Sequence, residues 1–171
     1  LTGLEPFIRA TVTDTVGTAE TITRINITIA DPDNLLSTAY ITHYSALYDG
    51  VSDTNNVSAK ITNLGSGSFS ISAVAEVDGS GNPTGNYVLP PGLVIVPPAD
   101  HNGELKLNVT AIAQDGSAST LQSSPSSLSF TLLAQSESAE VDTSNISTTE
   151  DTIVAINISP TKADDNGVLT I

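Results

Sequence analysis

Apolar and polar side chains alternate with a period of two through several stretches of the chain, the mark of strands that lay one face on a core. Leu105, Leu107, Val109, Ala111 and Ala113 form one such row, and Phe69, Ile71, Ala73, Ala75 and Val77 another. Leu128, Phe130 and Leu132 repeat the pattern, as do Ile25, Ile27 and Ile29. A first strand is predicted over Phe7 to Thr13 and a third over Tyr40 to Ser45. Turn-formers separate them: Asp31-Pro32-Asp33-Asn34, Asp78-Gly79-Ser80-Gly81-Asn82-Pro83, Asp100-His101-Asn102-Gly103 and Asp115-Gly116. No stretch carries a capped helical stripe. About seven short strands between such turns predict an all-β, antiparallel Greek-key β-sandwich.

The chain also repeats itself. Thr21-Ile22-Thr23-Arg24-Ile25-Asn26-Ile27-Thr28 returns as Thr152-Ile153-Val154-Ala155-Ile156-Asn157-Ile158-Ser159, an offset of 131 residues from Thr21 to Thr152. That period suits one sandwich domain and a short linker. Residues 1–135 therefore read as one repeat, and 136–171 as a linker and the first two strands of the next. So short a tail cannot bury a core alone. It reads either as the start of a domain that continues or as a strand donor that completes a sheet in a neighbouring molecule. The chain is expected to be an excerpt of a longer polypeptide, with any targeting signal elsewhere.

Composition narrows the chemistry. The formal charge is −14, from 19 acidic and 5 basic side chains, the wrong sign for neutralising phosphates, so no nucleic acid partner is expected. No apolar run approaches the length of a membrane span, and no membrane insertion is expected. Cysteine is absent, which removes disulfides, thiolate zinc sites and thiol catalysis. The surplus of carboxylates instead offers the oxygen ligands that calcium takes, about 6 to 8 of them.

The order Glu20-Thr21, Asp31-Pro32-Asp33, Pro98-Ala99-Asp100-His101-Asn102-Gly103 and Asn108-Val109-Thr110-Ala111-Ile112-Ala113-Gln114-Asp115-Gly116 resembles the cadherin-like and immunoglobulin-like repeats of giant bacterial adhesins, RTX-type adhesins included. The resemblance spans about residues 6 to 135 and restarts near 138. It implies an immunoglobulin/cadherin-like sandwich with calcium between successive domains. Asp31, Asp33 and Asp115 would share one pole of the domain. Glu20 and Asp100 would share the other, facing the linker acids Glu137, Glu140 and Asp142 and the second copy's Asp164 and Asp165. This chain departs from the pattern in two places: the acid after Asp100 is Glu104, and Asp164 and Asp165 are adjacent. Each of these carboxylates also has a plainer reading, as a turn residue bonding its own backbone or as solvated charge.

Other side chains offer less. Asp78, in a Gly-rich hairpin, reads as a turn residue. His43 and His101 lie apart from one another and without cysteine, which disfavours a transition-metal site. Neither has a nucleophile at a recognisable spacing. Asn26, Asn56, Asn108, Asn145 and Asn157 begin Asn-x-Ser/Thr triplets, a frequent coincidence in a Ser/Thr-rich chain. Tyr40, Tyr44 and Tyr48 are spaced by four. They read as the cover of a sheet face or as a short helical turn, or else as aromatic contacts for a ligand. Motifs for serine hydrolases, phosphate loops and zinc proteases are absent, and no enzyme is expected. The leading expectation is a calcium-stabilised structural repeat, an extender, of a secreted bacterial surface adhesin, with neighbouring repeats of the same chain as partners. Its alternatives are a module binding surface glycans or host proteins, and a filament subunit joined by strand exchange.

Overall fold

The computed structural model describes residues 2–4, 7–13, 20–31, 36, 38–47, 51–98, 101–116, 119–133, 140–141 and 160–161. Over these residues the protein is all-β and its strands pair antiparallel. In chain order they are β1 (Thr2–Gly3), β2 (Arg9–Thr11), β3 (Thr21–Ala30), β4 (Tyr40–His43), β5 (Ile61–Gly65), β6 (Ser68–Ser72), β7 (Val74–Val77), β8 (Pro83–Val88), β9 (Leu93–Val96), β10 (Gly103–Gln114), β11 (Leu121–Gln122), β12 (Ser126–Leu132), β13 (Glu140–Val141) and β14 (Pro160–Thr161). Single 3-10 turns occur at Tyr44–Ala46 and Ser58–Lys60.

One layer of the sandwich runs β5-β6-β3-β10, with β12 and β11 sharing the far edge of β10. Its centre is the β3–β10 pair, which follows from the sequence: Ile25, Ile27 and Ile29 alternate inward, opposite Ala111, Val109 and Leu107. Ile22 is also buried, three residues before Ile25. Strict alternation would turn one of them outward. A register shift between Ile112 and Ala113 inserts the extra residue on β3 and keeps both inside. The second copy keeps that spacing at Ile153 and Ile156, although Thr152 to Ser159 lie outside the described residues.

The facing layer holds β4-β9-β1 and β7-β8-β2. These two patches are one interrupted ladder, because the register is continuous: Thr2 lies opposite Ile95, and Arg9, seven residues on, lies opposite Val88, seven back. The interruption falls at Pro90 and Pro91, which have no N–H to donate. The layers are joined without a loop at Ala73, where β6 passes into β7 and the Ala73 N–H still bonds the carbonyl of Thr23 in β3 (3.0 Å). Such a strand turns a corner between sheets. Side chains from both layers fill the core between them, among them Leu4, Ile25, Ile27, Ile71, Leu93, Ile95, Leu105 and Leu107.

Strand directions define two poles. At one, β3 ends at Ala30 beside Lys106, and β12 ends at Leu132 opposite Gly103. At the other, β3 begins at Thr21 opposite Gln114. The β6–β7 strand runs toward the second pole, and β8 and β9 return toward the first, where β1 begins. Thr2 and Leu132, the two ends of the sandwich, therefore lie at the same pole. The division of the chain at residues 135 and 136 lies outside the described residues. Beyond it, β13 and β14 form a short ladder in which Glu140 faces Thr161 and Val141 faces Pro160.

Candidate functional site

The expected calcium ligands are arranged otherwise than the resemblance implies. Asp31 follows the end of β3, and Asp115 follows the end of β10. Because β3 and β10 are antiparallel neighbours, those ends point away from each other. Ten residues at about 3.3 Å each place the two carboxylates about 30 Å apart. A single pole shared by Asp31 and Asp115 is thus corrected. Glu20 and Asp115, expected at opposite ends, instead flank the paired residues Thr21 and Gln114 at one end, where the Thr21 hydroxyl donates to the Gln114 carbonyl (3.4 Å). Asp33, Asp100, Glu137, Asp142, Asp164 and Asp165 lie outside the described residues, as does the side chain of Glu140.

Asp31 has a local task. Its Oδ2 accepts the Leu36 N–H at 2.6 Å, closing its own loop as the plainer reading has it. Among the described residues no three His, Asp or Glu side chains converge to hold a metal.

Three other carboxylates are held more fully. Asp78 takes the N–H of Ser80 (2.8 Å) and of Asn82 (2.9 Å) and the Asn82 side-chain amide (3.3 Å), so it is the turn residue the sequence suggests. The bonds from Asn82 and Ser80 hold its carboxyl below the usual aspartate range. Glu76 is held low by Asn86 and Thr84, whose side chains donate at 2.7 and 2.8 Å, and by its ion pair with Arg9. Asp53, which the sequence reading passed over, caps the Ser58–Lys60 turn by accepting the N–H groups of Ser58 (2.8 Å) and Val57 (2.7 Å), and these bonds lower it too.

His43 is 5% exposed, and among the described residues it is the one buried ionisable side chain. It sits on the inner face of β4 opposite Leu93. Its Nδ1 accepts the Ser45 N–H (3.2 Å) and lies 2.7 Å from Ser45 Oγ. That proximity mimics a nucleophile and base, but the Nδ1 lone pair is engaged by a backbone donor, and the ring serves as the N-cap of the Tyr44–Ala46 turn. The Tyr44 ring packs at 4.6 Å from it. Tyr40 is exposed on β4, and Tyr48 lies outside the described residues. Tyr40 and Tyr44 thus divide between the two structural readings, one on a sheet surface and one in a helical turn.

The outer face of the β5-β6-β3-β10-β12 layer carries an arrangement the sequence reading missed. Asn26-Ile27-Thr28 in β3 and Asn108-Val109-Thr110 in β10 run antiparallel, so Asn26 faces Thr110 and Thr28 faces Asn108. Two triplets that look like acceptor motifs form a reciprocal Asn–Thr square. The rows extend sideways through Ser68, Ser70 and Thr62 on one side and Ser127 on the other. Thr28 and Ser68 share a hydrogen bond (3.1 Å), and Ser127 donates to Asn108 Oδ1 (3.0 Å). Gln122 donates to Thr110 (3.1 Å), and Arg24 to the buried Ser70 hydroxyl (3.3 Å). The matching offsets of the two triplets from the alternating apolar rows were the signal available in sequence. No family model, curated protein or solved structure matches the chain.

Proposed function

We propose that the chain is a structural repeat of a bacterial cell-surface adhesin, secreted, with calcium stabilising the joint between successive repeats and with no catalytic role. The internal repeat carries this reading: Thr152 to Ser159 keep the apolar spacing of the β3 sequence, at an offset that fits one sandwich. The proposed joint lies at the pole where β12 ends. Asp31 and Glu104 stand at the pole where β12 ends, and the sequence that follows supplies Glu137, Glu140 and Asp142. Carboxylates gathered from two domains repel one another until a cation binds, so calcium would fix both domains together and raise stability by mass action.

A chain that arrives and leaves at one pole adds little more than a sandwich width per repeat, and this supports a second reading. Such a unit holds its remote pole and sheet faces away from the joint, as a ligand-binding adhesin module does. Thermal unfolding of residues 1–171 in calcium and in chelator tests the first reading. Calcium is expected to raise the melting temperature by several degrees and chelator to reverse the gain; identical curves would remove the calcium joint.

A further inference from the structure

Arg24 stands on the outer face of β3, between Ile112 of β10 and Ser72 of β6. The side chain is exposed, and its Nη1 donates to Ser70 Oγ. Basic side chains are scarce, 5 against 19 acids. Arg9 spends its charge on Glu76. Arg24, among the described residues, meets a hydroxyl and no carboxylate. The repeat supplies an independent observation. Ile22, Ile25, Asn26 and Ile27 recur unchanged at 153, 156, 157 and 158, and Thr28 returns as Ser159, but Arg24 is replaced by Ala155. Of the residues kept, Ile22, Ile25 and Ile27 fill the core and Asn26 belongs to the Asn–Thr square, while exposed Thr21 is kept as Thr152 and Thr23 and buried Ile29 are replaced by Val154 and Pro160. Arg24 is thus one of the positions at which the two copies differ in sequence.

We infer that Arg24 and the hydroxyl–amide rows beside it form a shallow site for a sugar that bears a single carboxylate. The guanidinium fork matches a carboxylate with two parallel N–H bonds, and the bond to Ser70 uses one of its five donors. Thr110 and Gln122 on one side and Thr62 beyond Ser70 on the other carry groups that donate and accept, as sugar hydroxyls require. The face holds no acid in β3, β5, β6 or β12, and Glu104 lies at its opposite end. Glu20 and Asp115 flank the nearer pole, and the net charge is −14, so each further carboxylate on a ligand adds repulsion and a polyanion is disfavoured. The site also lies toward the pole remote from Thr2 and Leu132, where it is displayed. It does not depend on the calcium joint.

The test is a nuclear magnetic resonance titration of the labelled 171-residue chain in about 0.15 M salt with methyl glucuronoside, methyl glucoside and acetate. Glucuronoside is expected to shift Arg24 Nε–H and the amides of Asn26, Ser70 and Thr110 saturably, at least tenfold more tightly than glucoside or acetate. Arg24→Ala should abolish the shifts while leaving the rest of the spectrum unchanged, since the Arg24 side chain is exposed, and Arg24→Lys should retain a fraction. Equal response to acetate would reduce the site to a bare carboxylate contact and overturn the sugar. Unchanged binding in Arg24→Ala, or no saturable shift, would overturn the site. Chelator leaves each result in place, which separates failure here from failure of the joint.

Discussion

A single glycine shows how tightly the buried histidine is held. Gly92 has φ +81°, and a Cβ there would fall 2.3 Å from His43 Nε2, 2.6 Å from His43 Cδ2 and 2.7 Å from Tyr44 Cε1. The His43 ring cannot swing away cheaply, since it is buried and its Nδ1 accepts the Ser45 N–H, and the Tyr44 N–H bonds the Gly92 carbonyl (2.9 Å), which holds the Gly92 backbone against both rings. Gly81 has nearly the same φ, +85°, with nothing within 4 Å of its added Cβ. The two positions separate backbone strain from collision. Gly81→Ala is expected to cost about 1 kcal/mol, from the left-handed backbone alone. Gly92→Ala should cost about 3 kcal/mol, with overpacking added. Urea unfolding measures both, and equal losses would mean that His43 and Tyr44 yield freely. None of this was legible in sequence. A lone histidine in an apolar stretch signals burial poorly, and the glycine that makes room for it lies almost fifty residues away.

At the scale of elements, alternation revealed the strands that have one wet face and missed those that do not. β3, β10 and β12 were legible because each presents polar side chains to solvent on one side. β9 is the continuous apolar run Leu93–Val96, which periodicity cannot assign, and β8 opens on Pro83 and bends at Gly85, with φ +83°. β5 is largely exposed and has no alternating inward row. The turns fared better, and Asp78 makes its hairpin accountable to pH. Its folded carboxyl is held below the ordinary value, as are those of Glu76 and Asp53. Each group therefore contributes stability that is fully present above its unfolded value and is lost as pH falls through the folded one. The window opens near about pH 4.5 and extends downward. Acidification also relieves the self-repulsion of a chain of charge −14, so variants must isolate the local term. The unfolding midpoints of Asp78→Ala and Glu76→Gln are expected to lie below the wild type at pH 7, by a gap that narrows as pH falls below the ordinary carboxylate range. A gap that persists at low pH would assign the loss to something other than the carboxylate bonds.

For the whole molecule, the decisive relation is that β3 and β10 are neighbours. The sequence supports two long alternating strands and the acids at their ends, and it supports a sandwich, but pairing partners are a property of the tertiary fold. Nothing in the alternation of Ile25, Ile27 and Ile29 says which strand they lie beside. The resemblance supplied an arrangement, and the register Thr21–Gln114 through Ala30–Lys106 replaced it. Everything about the poles follows from that register: Asp31 near the chain's exit, Asp115 with Glu20 at the far end, and about 30 Å between them. Over such a distance no cation can bridge the two carboxylates. Asp31→Asn and Asp115→Asn are therefore expected to act independently, with the double variant's loss of stability equal to the sum of the single losses within about 0.5 kcal/mol, in calcium and in chelator alike. Asparagine keeps an oxygen for the Leu36 N–H, so the Asp31 loop survives the substitution. A double-mutant coupling of more than about 1 kcal/mol that appears only in calcium would place both carboxylates on one ion, and the antiparallel pairing of β3 with β10 would have to be abandoned.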